Sequence, residues 1–200
     1  MTQETLTQAI DYRAYSELVN SLALEGKTSG EDQSESRIAL TKLNVQRVKR
    51  IERTVEIIPQ LRSILKSLKR NYLWLVLSES WCADSAQNLP VINMMAELSD
   101  NIDLKILLRD ENPAIMDNHL TNGARSIPKL ISMDPGNMKE YGTWGPRPQA
   151  PQAMMSEYKK HKSRPHGEVQ KEIQLWYARD KGESIQWEFI NLFKMWEPDN

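Results

Sequence analysis

The sequence predicts an α/β protein: a mixed, largely four-stranded sheet flanked by helices, with helical extensions before and after it. Three observations carry that expectation. Tyr72, Leu73, Trp74, Leu75, Val76 and Leu77 form an unbroken apolar run of strand length, the pattern of a strand buried on both faces. Downstream of it, helix-period and strand-period segments alternate, as in a crossover unit. Asp134, Pro135, Gly136 and Asn137 are a turn signature between two short strand-like stretches, as in a hairpin.

The elements follow in order. Leu6, Ile10, Tyr15, Leu18, Val19 and Leu22 recur at helical spacing and predict one amphipathic helix. Residues 26–36 are polar, contain two glycines and read as a loop. Gly26, Lys27 and Thr28 look briefly like a phosphate loop, but the upstream glycine and the preceding strand are missing. Between residues 40 and 68 apolar residues keep steps of three to five, and Pro59 should divide the stretch into two helices. Residues 42–70 carry nine Lys or Arg against Glu52 and Glu56, a local balance of +7. A solvated helix face is the plain reading, and a docking surface for an acidic partner the sharper one. No aromatics interleave with these charges, which disfavours nucleic acid.

The first strand, 72–77, is expected to lead through a turn at 78–81 into a helix over 83–98, bent at Pro90. A second strand at 102–108, a short helix at 113–120, a third strand at 129–133 and a fourth at 138–143 complete the sheet, with a right-handed crossover joining the first two strands. Trp144, Gly145, Pro146, Arg147 and Pro148 read as a stiff connector that packs one tryptophan, with an exposed recognition loop as the alternative. Helices are predicted at 149–162, 168–180 and 184–196, with a break within 161–167. Trp176, Tyr177, Trp187, Phe189, Phe193 and Trp196 are expected in the core of these helices; the alternative is an exposed aromatic face for a homodimer. Residues 1–70, 71–145 and 146–200 thus form a helical extension, a core and a second extension, expected to pack as one domain.

Composition bounds the function. A net charge of −1 gives no general attraction for nucleic acid or an anionic membrane. The apolar run at 72–77 is far shorter than the roughly 18–20 residues of a membrane helix. Residues 1–12 lack a basic region followed by an apolar stretch, so no signal peptide is expected. One cysteine excludes an internal disulfide framework and fits a reducing compartment, with the cytoplasm as the expected location. His119, His161 and His166 have no metal-site spacing among themselves or with Cys82, so no metal is expected, and His119 reads as solvated.

Several motifs stand in a telling order. Trp81 and Cys82 follow the first strand and open a helix, and Pro90 lies eight residues after the cysteine. Asp110, Glu111, Asn112 and Pro113 follow the second strand, and Ser126, Ile127, Pro128, Lys129 and Leu130 enter the third. In these features residues 72–141 resemble thioredoxins. Across nearly the whole chain the sequence is similar to bacterial thioredoxin family proteins of about this length. The shared stretches are Glu79-x-Trp81-Cys82-x-Asp84, Asn122-Gly123-x-Arg125-Ser126-Ile127-Pro128 and Trp144 to Pro148. The resemblance implies a thioredoxin-like fold with a cis Ile127–Pro128 bond facing the cysteine, so that the Ile127 backbone is offered to an extended substrate. Two departures matter. Ser85 replaces the second cysteine of Cys-x-x-Cys, and Val76 replaces the buried acid six residues before Cys82.

The chemistry then centres on Cys82. A helix start favours a thiolate through its unpaired N–H groups. Ser85 is placed to donate a hydroxyl hydrogen bond to that thiolate, whereas Asp84 opposes a second negative charge. Asp84 and Glu79 are the candidate proton-relay acids. With one thiol, exchange stops at a mixed disulfide unless an external thiol resolves it. The expected activity is that of a monothiol disulfide oxidoreductase acting on a protein or small-molecule disulfide. Glutathione or another low-molecular-weight thiol would be the co-substrate, with no other cofactor. The alternative is a non-catalytic binding module in which Trp81, Cys82 and Pro128 line a peptide groove. A thiol peroxidase is disfavoured, because the Pro-x-x-x-Thr/Ser-x-x-Cys setting is missing before Cys82.

Overall fold

A computed structural model describes residues 6–162 and 164–197; the first five residues of the stretch read for a signal peptide lie outside it. Its centre is β1 (Tyr72–Ser78), which pairs in parallel with β2 (Ile102–Leu108) and antiparallel with β3 (Lys129–Met133). β4 (Glu140–Trp144) closes the sheet in the order β2-β1-β3-β4. Because β1 is paired on both edges, its backbone groups are satisfied and its alternate side chains are free to enter two cores. Tyr72, Trp74 and Val76 enter one, while Leu73, Leu75 and Leu77 enter the other. That two-sided burial is why the run is apolar throughout.

The fourth strand starts at Glu140, two residues later than its sequence predicts. Asp134 accounts for the shift: its Oδ1 accepts from the backbone N–H groups of Gly136 (2.8 Å) and Asn137 (3.1 Å), and Met138 adopts a φ of 60°. The turn therefore extends past residue 138.

The N-terminal helix needs a larger correction. Ile10, expected inside it, instead makes an antiparallel bridge with Ile106 through bonds of 3.0 and 2.7 Å. This covers part of the otherwise unpaired edge of β2, a place where an open strand invites misassociation. Asp11 then restarts the chain as the cap of α1 (Tyr12–Glu25), its carboxylate accepting from Ala14 N–H at 2.7 Å.

α2 (Glu35–Thr54) and α3 (Pro59–Lys66) are divided as predicted, with Pro59 in the first turn of α3, where its missing N–H is harmless. α4 (Ala83–Ala96) carries on through Pro90, and α5 (Pro113–Asp117) is shorter than its pattern suggests. α6 (Gln149–His161), α7 (His166–Asp180) and α8 (Glu183–Trp196) form the C-terminal extension.

Trp74, fully buried, lies 5.2 Å from the Phe189 ring and 5.9 Å from that of Phe193. Burying an aromatic side chain of this size contributes about 1.5–3 kcal/mol. This cluster draws on β1, α3, α4 and α8, so both extensions share a core with the sheet. Trp144 is buried and donates to Glu188 at 2.7 Å. Trp187 is the exception among the predicted core aromatics: it is exposed, because the inward face of α8 is already filled by Ile185, Phe189, Ile190, Phe193 and Trp196. Within the basic stretch, Lys42, Lys49, Arg53, Arg62, Lys66 and Lys69 are exposed, whereas Arg50 donates to Gln87 at 3.0 Å. Among the described residues no helix is long and apolar enough to cross a membrane.

Candidate functional site

The chain leaves β1 through Glu79, Ser80 and Trp81, and Cys82 becomes the cap of α4. The Ser85 backbone N–H donates to Cys82 Sγ at 3.4 Å, the contribution expected of a helix start. Yet Cys82 is only 7% exposed and its thiol donates to the Ile127 carbonyl oxygen at 3.3 Å. Burial first, and the neighbouring Asp84 carboxylate second, push the thiol up to about 11. The helix start acts in the predicted direction, but desolvation outweighs it.

The other predicted residues gather around this sulfur. Ser85 is buried, and its hydroxyl has no hydrogen-bond partner among the described residues. That dipole favours the sulfur only once the proton has left. Asp84 is buried and paired with Arg147 at 2.6 Å, and it accepts from the Tyr177 hydroxyl at 3.1 Å. Burial raises its carboxyl above the usual range, and Arg147 opposes that rise. Glu79, also raised by burial, accepts from the Ser29 hydroxyl and from Asp110 N–H at 2.8 Å. Neither carboxylate is hydrogen-bonded to Cys82 Sγ. The Ile127–Pro128 bond is cis, as the resemblance implies. Trp81 and Ile127 line a groove of about 930 Å³ together with Cys82, whereas Pro128 is buried beside it without lining it.

Three parts of the site escaped the sequence reading. Thr28 and Ser29 lie in the expected loop but are buried. The Thr28 hydroxyl lies 2.6 Å from that of Thr41 and 3.0 Å from that of Ser80, and Ser29 N–H donates to Ser80 Oγ at 2.9 Å. The polar loop is thereby tied to the turn that carries Cys82. Arg147, read as part of a connector, is the counterion of Asp84. The guanidiniums of Arg37 and Arg109 lie 4.1 and 4.8 Å from the Trp81 ring centroid, in cation–π contact. His119 is not solvated: its ring contacts the Ile115 carbonyl at 2.7 Å and Glu140 at 3.0 Å. Among the described residues no group of three or more His, Cys, Asp or Glu is arranged to hold a metal.

A cysteine capping the helix after a central strand, facing a cis-proline loop at the start of an antiparallel strand, defines a protein of thioredoxin-like architecture. A family model described as thioredoxin matches residues 30–159, and the chain belongs to that family. Two solved structures are similar in fold. One is a protein of unknown function from Pseudomonas aeruginosa, with a TM-score of 0.60 and 17% identity over 93% of this chain and 92% of that one. The other is an HIV epitope scaffold, with a TM-score of 0.56 and 20% identity over 90% of this chain and 97% of that one. No curated protein matches significantly.

Proposed function

We propose that the protein is a thioredoxin-fold binding module, in which the groove beside Trp81, Cys82 and Ile127 receives a ligand. Cys82 stands in its wall as a protonated thiol rather than as a resting nucleophile. The state of the sulfur carries this reading: it is buried, bonded to the Ile127 carbonyl and raised to about 11. At neutral pH such a thiol is ionised to roughly one part in ten thousand, and the thiolate is the attacking species. The single cysteine supports the same reading, because an exchange begun at Cys82 has no thiol of this chain to complete it. A lone reduced thiol suits a reducing compartment such as the cytoplasm.

Monothiol exchange is the second reading, favoured by the Ser85 N–H on the sulfur and by the groove beside it. Cys82 would give its proton to solvent and attack one sulfur of a protein or small-molecule disulfide. A sulfur–sulfur bond to Cys82 forms as the old one breaks, and the departing thiolate takes up a proton. An external thiol such as glutathione then attacks the mixed disulfide, forms a new disulfide with the bound partner and returns Cys82 as a thiol.

One experiment separates the two. The chain is treated with 2-hydroxyethyl disulfide at neutral pH, and the Cys82 adduct is followed by mass spectrometry in folded and urea-denatured samples. The binding reading predicts modification at least about tenfold slower when folded, from burial and thiol acidity together. Faster modification of the folded chain overturns it in favour of exchange.

A further inference from the structure

We propose that the groove beside Cys82 is an anion site that takes a short, peptide-sized ligand bearing at least two carboxylate or phosphate groups. This rests on the binding reading above and names the ligand class. The wall of the groove carries Arg37, Arg47, Arg109, Arg125, Arg147 and Lys171, and among the described residues the one acidic residue lining it is Asp84. These cations come from α2, the turn after β2, the loop before β3, the connector before α6, and α7. They converge from distant parts of a chain whose net charge is −1, so the concentration is not a by-product of a basic protein. A cleft of one sign with low-dielectric walls focuses its potential on a ligand of the other.

The protein's own carboxylates cancel only part of this charge. Arg109 pairs with Asp110 (2.6 Å), Arg37 with Asp32 (2.9 Å), Arg125 with Asp117 (2.6 Å) and Arg147 with Asp84 (2.6 Å). Six cations thus face four aspartates, and only Asp84 lies on the wall itself. Arg47 is the telling member. It is partly buried, and its guanidinium donates to the neutral Asn44 Oδ1 at 2.7 Å, with no carboxylate within ion-pair distance among the described residues. A guanidinium presents a planar fork that matches a carboxylate or phosphate bidentately. Two further lining residues, Trp81 and Arg147, carry buried N–H donors (Nε1 and Nε) with no partner among the described residues. At about 930 Å³ the groove is at the upper end of the roughly 300–1,000 Å³ that small ligands occupy, enough for a tripeptide.

The test is isothermal titration calorimetry on the full chain with acetyl-Glu-Ala-Glu-amide, its neutral counterpart acetyl-Gln-Ala-Gln-amide, and pyrophosphate as competitor. The expected result is that the acidic peptide binds at least about tenfold more tightly than the neutral one and that added salt weakens it. Arg47→Gln and Lys171→Gln should each weaken the acidic peptide about three- to tenfold and leave the neutral one unchanged. Lys171 is exposed, so its replacement keeps the fold, and a thermal melt checks Arg47→Gln. Displacement by pyrophosphate means that the site accepts either kind of anion; no displacement narrows the ligand to carboxylates. Equal affinity for the two peptides overturns the proposal and leaves the binding reading standing. No binding of any of the three probes also overturns it, and the binding reading falls with it if Cys82 proves more reactive in the folded chain than in the denatured one.

Discussion

At Cys82 two influences on a thiol meet. The Ser85 N–H holds the sulfur as a helix start holds an anion, while burial and Asp84 work against the charge. The folded chain therefore grips this proton more tightly than the unfolded chain does. The stability that Cys82 contributes is present below the free-thiol value of about 8.5 and is lost as pH rises toward about 11. Asp84→Asn removes the second of the two causes and leaves the first. We expect the Cys82 midpoint, followed by thiolate absorbance in the ultraviolet, to fall from about 11 yet remain above the free-thiol value. An unchanged midpoint would show that Asp84 does not act on the sulfur. Glu79 and Asp84 were legible as acids near the cysteine. Their burial was not, because it depends on Ser29 and Arg147, residues remote in sequence.

At the scale of elements, the connector between β4 and α6 does more than join them. Gly145 sits at φ +110°, and a Cβ added there would collide with the Pro128 carbonyl oxygen, so the connector lies directly against the cis-proline loop. Two residues on, Arg147 reaches Asp84 in the first turn of α4. Gly145→Ala should cost about 3 kcal/mol or more in urea denaturation, from the strained φ and the backbone collision together. A loss below about 1 kcal/mol would show that the connector moves aside easily. The sequence marked this segment as stiff from its prolines and packed from its tryptophan, and the packing holds. It gave no sign that the segment supplies a counterion to the site, since a proline-rich motif reports its own stiffness and not what it leans against.

Over the whole molecule, the sheet and the cysteine turn were legible because each leaves a local signature: an apolar run on a doubly covered strand, a turn motif, a helix start. The groove was not. Its wall is assembled from α2, the turn after β2, the loop before β3, the connector and α7, and no window of sequence contains it. The same holds for Ile10, whose periodicity fits a helix until Asp11 caps one and frees it to bridge Ile106. The helical extensions share the core of the sheet and, through α2 and α7, supply part of the wall of the groove beside the buried thiol. The pH dependence of Cys82 alkylation by iodoacetamide in the folded chain tests most directly whether the thiol is shielded in this way. A rate that stays low and rises only toward a midpoint of about 11, with fast reaction after denaturation, is the predicted result. A midpoint below the free-thiol value of about 8.5 in the folded chain would contradict it and make Cys82 a nucleophile.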